Sequence, residues 1–421
     1  MALQFDNHIP RYLFTKLIGR WHRPAFWGPL SCLRYRPVDI PSLPGEDWAR
    51  IKVRLGGICG SDLNIITLGD SPTVVPFASF PFTLGHENVG TIDALGGDMD
   101  GWHVGQRVVV DPVLSCEPRG VQPLCEACQR GDISQCRHFT AGRLAPGFII
   151  GTCRDTGGSW SPYFVAHRSQ LIPVPDHVSD ENAVLVEPFA CALHPVLRHP
   201  PQPGETLLVI GCGVIGLMVI AAVRALGYDN RIVAVARYPF QEEAARTLGA
   251  DVVTRARGVA LYETLGEEFG ARMHRPPIGK PILEGGADVV FECAGSDDAL
   301  DDALRLAGHG AKVVVLGLAA IPKGVDWTPV WMKELSVLGS FLSGAEPGEN
   351  GPVRTAQIAM NLLAEGKVDL SFMVTHRFRL HDYPRALETT LSRGKARLIK
   401  SVFDFTEESE GSGPAPARAG P

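Results

Sequence analysis

A continuous apolar run, Thr206–Ile210, passes directly into Gly211-Cys212-Gly213-Val214-Ile215-Gly216 and then into a helix-like stretch ending at Leu226. A strand buried on both faces reads as unbroken apolar sequence, and a helix that follows it through a tight turn must pack back across the sheet. The pattern recurs downstream. Arg231–Ala236, Ala287–Cys293 and Ala311–Leu316 read as further buried strands, and Gln241–Leu248 as a second helix. This region is therefore predicted to be α/β, a doubly wound parallel sheet. Gly211 permits the tight turn, Gly213 admits a diphosphate to the backbone, and Gly216 lets the helix lie close to the sheet. The free N–H groups at Val214 and Ile215, at the positive end of the helix, then face that anion. The expected ligand is a dinucleotide.

The end of the second strand refines this expectation. An acidic residue there would hold both ribose hydroxyls of NAD. This chain has Ala236 followed by Arg237. Removing the carboxylate and adding a guanidinium favours a 2′-phosphate, so NADP(H) is expected over NAD(H).

Before this region the texture is different. Short β-type runs such as Ala49–Leu55, Val104–Val110 and Ser159–Ala166 alternate with Gly and Pro, which predicts a mostly β domain with irregular loops. Two phrases in it carry metal-ligand chemistry: Gly56-Gly-Ile-Cys59-Gly-Ser61-Asp62-Leu63 and Gly85-His86-Glu87-Asn-Val-Gly90. A third, Val186-Glu187-Pro-Phe-Ala-Cys191, follows about a hundred residues on. A catalytic zinc takes about three protein ligands and keeps one position open. Cys59 offers a thiolate and His86 an imidazole. Glu187 and Cys191 share a helix face, and Glu87 adjoins His86, so any of these three could be the remaining donor.

Four of the ten cysteines, Cys116, Cys125, Cys128 and Cys136, fall in one short stretch. Such spacing suits a structural zinc better than a disulfide framework, and a reducing, cytoplasmic location follows. Cys125-x-x-Cys128 with Cys136 is the stronger part. Eight residues separate Cys116 from Cys125, an excursion containing two prolines and a glycine. The net charge of −6 argues against a nucleic-acid surface, and no apolar run is long enough to span a membrane.

Taken together, these phrases and the glycine loop resemble the zinc-dependent medium-chain alcohol and polyol dehydrogenases, over about residues 45–403. The Glu187-Pro188-Phe189 phrase resembles the sorbitol, threonine and glucose dehydrogenase branch. The resemblance implies a mostly-β GroES-like catalytic domain plus a Rossmann coenzyme domain. It also implies zinc on Cys59, His86 and Glu187, with Glu87 able to exchange with water on the metal and Cys191 reduced to a wall residue. By the same resemblance Asp62 orients His86, and Ser61 receives the substrate proton. Where relatives often carry a His three residues after that serine, this chain has Asn64, which cannot titrate near neutral pH. The proton must then leave by water, a ribose hydroxyl or another side chain.

The expected organisation is a catalytic segment at 1–198 with an extension at 1–44, a dinucleotide domain at 199–342, a return to the catalytic domain at 343–405, and a disordered tail at 406–421. The expected reaction is reversible hydride transfer between an alcohol or polyol CH–OH group and NAD(P). A glucose-type sugar substrate, or a cofactor-binding sensor without turnover, are the alternatives. A homodimer or homotetramer is expected, with no nucleic-acid or membrane partner.

Overall fold

The computed structural model describes residues 1–348 and 351–406. The expected disordered tail therefore lies outside the described residues except for Thr406, whose N–H donates to the Asp404 carboxylate at 2.9 Å.

The chain opens with β1 (Ala2–Phe5), the helix Ile9–Ile18 and β2 (Leu33–Arg36), followed by β3 (Trp48–Gly57). Next come β4 (Phe82–Thr83), β5 (Asn88–Leu95), β6 (Arg107–Val110), β7 (Tyr163–His167) and β8 (Leu171–Pro173). Strands β2, β1 and β4 form a three-stranded antiparallel sheet. In β3, Ile51, Val53 and Leu55 are buried, while Arg50, Lys52 and Arg54 alternate with them and stay half-exposed. This period-two pattern marks a strand with one buried face. Ile51 lies opposite Ile92 of β5 on one side and Phe164 of β7 on the other. Two of the expected strands are shorter than predicted. The Val104 run begins in a turn at Gly105 (φ 88°). The Ser159 run begins as a loop that sends Trp160 inward, its indole donating to the Gly57 carbonyl at 2.8 Å.

The second layer is the predicted doubly wound sheet. It contains β9 (Leu207–Ile210), β10 (Ile232–Val235) and β11 (Val252–Thr254). After a small hairpin, β12 (Arg272–His274) and β13 (Ile282–Glu284), it continues with β14 (Ala287–Glu292), β15 (Ala307–Val315) and β16 (Ser336–Gly339). The six strands run parallel in the order β11-β10-β9-β14-β15-β16. All four residues of β9 are buried, which is why that strand reads as unbroken apolar sequence.

A second hairpin, β17 (Ala345–Glu346) and β18 (Val353–Arg354), leads out of this sheet. The last strands, β19 (Val374–Phe378) and β20 (Lys400–Asp404), join the first layer. They extend a seven-stranded sheet in which β20 lies directly against β3. The helix Val186–Arg198 packs between the two layers.

Candidate metal and cofactor site

Cys59 is the N-cap of the short helix Gly60–Ile66, and its backbone N–H donates to Asp62 Oδ2 at 3.0 Å. The other oxygen of Asp62 lies 3.5 Å from His86 Nδ1. One buried carboxylate thus fixes the start of the helix and the tilt of the imidazole. Asp62 on Nδ1 leaves Nε2 as the outward nitrogen, and Ser61 Oγ stands 3.5 Å from it. Burial opposes a charge on His86, but Asp62 more than offsets this and holds its pKa well above the usual value. The donor atoms of Cys59, His86 and Glu87 all lie within 4.8 Å of one another.

Glu87 is almost fully buried and ion-paired with Lys400 of β20, itself only 2% exposed. A side chain at Gly57 would overlap the Glu87 carboxylate, so the glycine before the cysteine phrase makes room for it. Glu187 sits in the first turn of Val186–Arg198 and accepts a hydrogen bond from Cys191 Sγ at 3.4 Å. Burial pushes its carboxyl up to about 7, with nearby His86 opposing the rise and Glu87 adding to it. Glu187 thus belongs to the same electrostatic neighbourhood, but it is not among the three donors that converge. Asn64 is exposed on the helix Gly60–Ile66.

The sulfurs of Cys116, Cys125, Cys128 and Cys136 also converge within 4.8 Å of one another. Arg119, inside the long excursion, explains how Cys116 returns to the other three. Its guanidinium is fully buried and donates to the carbonyls of Leu114, Ala141, Leu144, Ala145 and Gly147. The excursion is therefore pinned, through this buried arginine, to Leu114 and to the loop at residues 141–147. The Cys125 N–H points at Cys116 Sγ at 3.5 Å. Burial opposes ionisation of Cys125, but N–H groups of Arg137 and Cys128 bring its thiol down to about 6. Four converging sulfurs, one of them readily a thiolate, fit a tetrahedral zinc.

In the dinucleotide loop, Gly211 adopts φ 98° and donates to the Val235 carbonyl at 3.0 Å. Gly213 is the N-cap of the helix Val214–Ala225, with Val214 and Ile215 half-buried behind it. A side chain at Gly216 would overlap the Gly211 carbonyl oxygen, so the helix touches the strand end at this residue. The donors at the helix start and the open space in front of Gly213 fit a diphosphate. Ala236 and Arg237 follow β10 immediately, and the Arg237 guanidinium lies over the Tyr238 ring, 5.5 Å from its centroid.

Two groups escape a reading of the sequence. Glu292, fully buried at the end of β14, accepts the N–H groups of Ala294 and Gly295, both at 2.8 Å, and so shapes the loop at the sheet's ligand-facing edge. The signal was a charged residue closing an apolar strand. His194 lies two turns after Glu187 on the same helix, its Nδ1 2.6 Å from Glu346, which also accepts from Thr355 Oγ1 at 2.9 Å. Here the spacing of Glu187, Cys191 and His194 at helical intervals was the available signal.

Residues 45–176 match the family described as alcohol dehydrogenase GroES-like domain, and residues 214–363 match zinc-binding dehydrogenase. Over 363 residues the chain is 31% identical to sorbitol dehydrogenase of Bacillus subtilis (strain 168), covering 85% of this chain and 91% of the relative. The chain belongs to the zinc-dependent medium-chain alcohol and polyol dehydrogenase family. Among solved structures of this dehydrogenase fold, a putative zinc-binding dehydrogenase of Sinorhizobium meliloti 1021 bound to NADP superimposes with a TM-score of 0.69 at 26% identity. That match covers 96% of this chain and 99% of the other. A short chain alcohol dehydrogenase of Escherichia coli CFT073 complexed with NADH gives a TM-score of 0.68 at 25% identity, covering 89% and 95%. The dehydrogenase is thus an oxidoreductase of alcohol or polyol CH–OH groups that uses zinc and a nicotinamide cofactor, on a GroES-like and Rossmann-like framework. No helix among the described residues is long and apolar enough to cross a membrane.

Proposed function

We propose that this dehydrogenase oxidises a small polyol, or reduces the matching ketone, with NADP(H) as the favoured cofactor. The observation that carries the site assignment is the convergence of Cys59, His86 and Glu87 donor atoms within 4.8 Å, with Asp62 behind the histidine. Cys59 and His86 are two metal ligands. Glu187 would be the third, in place of its bond to Cys191, and Glu87, paired with Lys400, would be the nearby carboxylate able to exchange with water. When bound, zinc supplies a Lewis acid that lowers the pKa of a substrate hydroxyl, and the nicotinamide supplies the hydride acceptor.

The rest falls to the chain. Asp62 keeps His86 in one tautomer and one orientation. Ser61, beside His86 Nε2, takes the proton leaving the substrate hydroxyl. Asn64 passes no proton onward, so the route continues through water or a ribose hydroxyl. The helix start at Gly213, Val214 and Ile215 fixes the cofactor diphosphate, which orients the nicotinamide towards the substrate across the gap between the layers. The absence of an acid at Ala236 and the presence of Arg237 support the phosphorylated cofactor. The polyol reading is supported by the name of the Bacillus relative and by the Glu187 phrase.

The four-cysteine cluster is assigned a second, structural zinc. All ten thiols are unpaired, which supports a reducing, cytoplasmic compartment. Exposed Trp327, Trp331 and Met332 beside the edge strand β16 support self-association, as a dimer or tetramer, through the parallel sheet.

Cys59→Ala tests the centre. Turnover on a panel of polyols should fall by about three orders of magnitude or more, since several kcal/mol of charge stabilisation are lost. Cofactor binding, followed by titration calorimetry, should be retained. Zinc-dependent activity persisting in that variant would refute the assignment. Comparison of kcat/KM with NADP and NAD tests the cofactor preference.

A further inference from the structure

The C-terminal end of β10 is crowded by arginines that have no carboxylate partner among the described residues. Arg237 rests on Tyr238, whose ring stacks on Phe240 with centroids 5.5 Å apart and planes at 7°. Arg257 reaches the same place and donates to the Arg237 carbonyl at 3.0 Å. Arg393 arrives from elsewhere in the chain. It begins the short helix Arg393–Ala396, between β19 and β20, both strands of the seven-stranded sheet. A side chain on the next residue, Gly394, would overlap the Tyr238 ring, so this helix lies directly on the end of the β10 loop. From there the Arg393 guanidinium extends to the dinucleotide loop, and its Nη1 is the nearest atom, at 4.0 Å, to the position a Cβ would take on Gly213.

The surrounding charges sharpen the observation. The acids next to this place are already engaged: Glu242 holds Arg246 and Arg255, and Glu243 faces Arg397. No ion pair joins the guanidinium of Arg237, Arg257 or Arg393 to a carboxylate among the described residues. Burial lowers the Arg393 pKa, and the nearby charge of Arg237 lowers it further against the opposing influence of Tyr238. Like charges held together without a counter-ion, in a chain of net charge −6, describe a seat for an anion.

We propose that Arg393 and Arg237 together grip the 2′-phosphate of the cofactor's adenosine ribose, one arginine from the parallel sheet and one from the segment that rejoins the seven-stranded sheet. The proposal rests on the NADP reading above and adds a second specificity-determining residue to it. Arg237 alone would make the preference a property of the parallel sheet. With Arg393 it depends on the two layers being correctly placed against each other.

The test is titration calorimetry on the zinc-loaded enzyme with two fragments, adenosine 2′,5′-bisphosphate and 5′-AMP, which differ only in the 2′-phosphate. The native protein should bind the bisphosphate more tightly. Arg393→Gln and Arg237→Gln should each weaken the bisphosphate by about tenfold or more, as expected for loss of a charge-assisted contact, and change 5′-AMP less than twofold. Arg393→Lys should restore part of the loss, and an unchanged zinc content and melting temperature in each variant would show that the fold survives. An equal weakening of both fragments in Arg393→Gln would place that residue on the 5′ phosphate and overturn the inference. So would no change in Arg393→Gln alongside a selective loss in Arg237→Gln, which would leave the NADP reading standing. If the native protein does not distinguish the fragments, the NADP reading itself fails and this inference falls with it.

Discussion

Asp62 accepts the Cys59 N–H with one oxygen and faces His86 with the other. Asp62→Asn keeps the shape and removes the charge. Its metal affinity, measured by competition with a chelator, should fall about 10- to 100-fold. Cys59, His86 and Asp62 were legible because they stand in short glycine-flanked phrases; Asp62 meets Cys59 within one turn, and the pairing of β3 with β5, Gly56 opposite Asn88, brings His86 to them. Lys400 was not: it meets Glu87 only because β20 folds back against β3, and a lone lysine in an apolar strand has no local signature. Lys333 is a second buried lysine, donating to the carbonyls of Arg305 and Ala307 at 3.0 and 2.6 Å. Burial pushes its pKa down to about 8. Its folded pKa therefore lies below the unfolded value of about 10.5, so the native state binds fewer protons between those limits. Stability should rise with pH across that window. Urea midpoints of the native protein should climb relative to Lys333→Met between about pH 8 and 9.5; parallel curves would show an amine with an ordinary pKa.

Arg119 organises a whole loop from its interior. Its five carbonyl acceptors hold the stretch between Cys116 and Cys125 in the shape that completes the four-sulfur cluster. Arg119→Met should cost at least about 3 kcal/mol, because buried carbonyls lose their partner. Metal analysis should then fall from two zinc equivalents per chain towards one. The cysteine spacing could be read from the sequence, but the anchor could not, since an arginine in a Pro- and Gly-rich loop is ordinarily at the surface. The helix Val214–Ala225 shows the opposite case. Gly216 against the Gly211 carbonyl was foreseeable from the loop pattern, and Gly216→Ala should destabilise by about 1–3 kcal/mol through overpacking, read as a lower melting temperature.

At the scale of the molecule, residues 1–44 read in the sequence as an extension of unassigned role. Ala2–Phe5 instead pairs with Leu33–Arg36 and Phe82–Thr83, and Leu3 exchanges backbone hydrogen bonds with Trp160 and Leu84. Phe5 stacks on Phe82 at 5.9 Å, and Trp27 is 7% exposed. Period-two alternation cannot reveal this, because the strand is four residues long and its partners are remote. Phe5→Ala should therefore cost about 3–5 kcal/mol in global stability, measured by denaturant unfolding; a change within about 0.5 kcal/mol would mark the segment as a loose appendage. The return of the chain to its first sheet has a consequence for biosynthesis. Cys59, His86 and Glu87 leave the ribosome early, but the ammonium that neutralises Glu87 is translated more than three hundred residues later. Until that lysine is made, Glu87 lacks the partner it has in the folded chain, so the finished pocket cannot form before residue 400 has been translated.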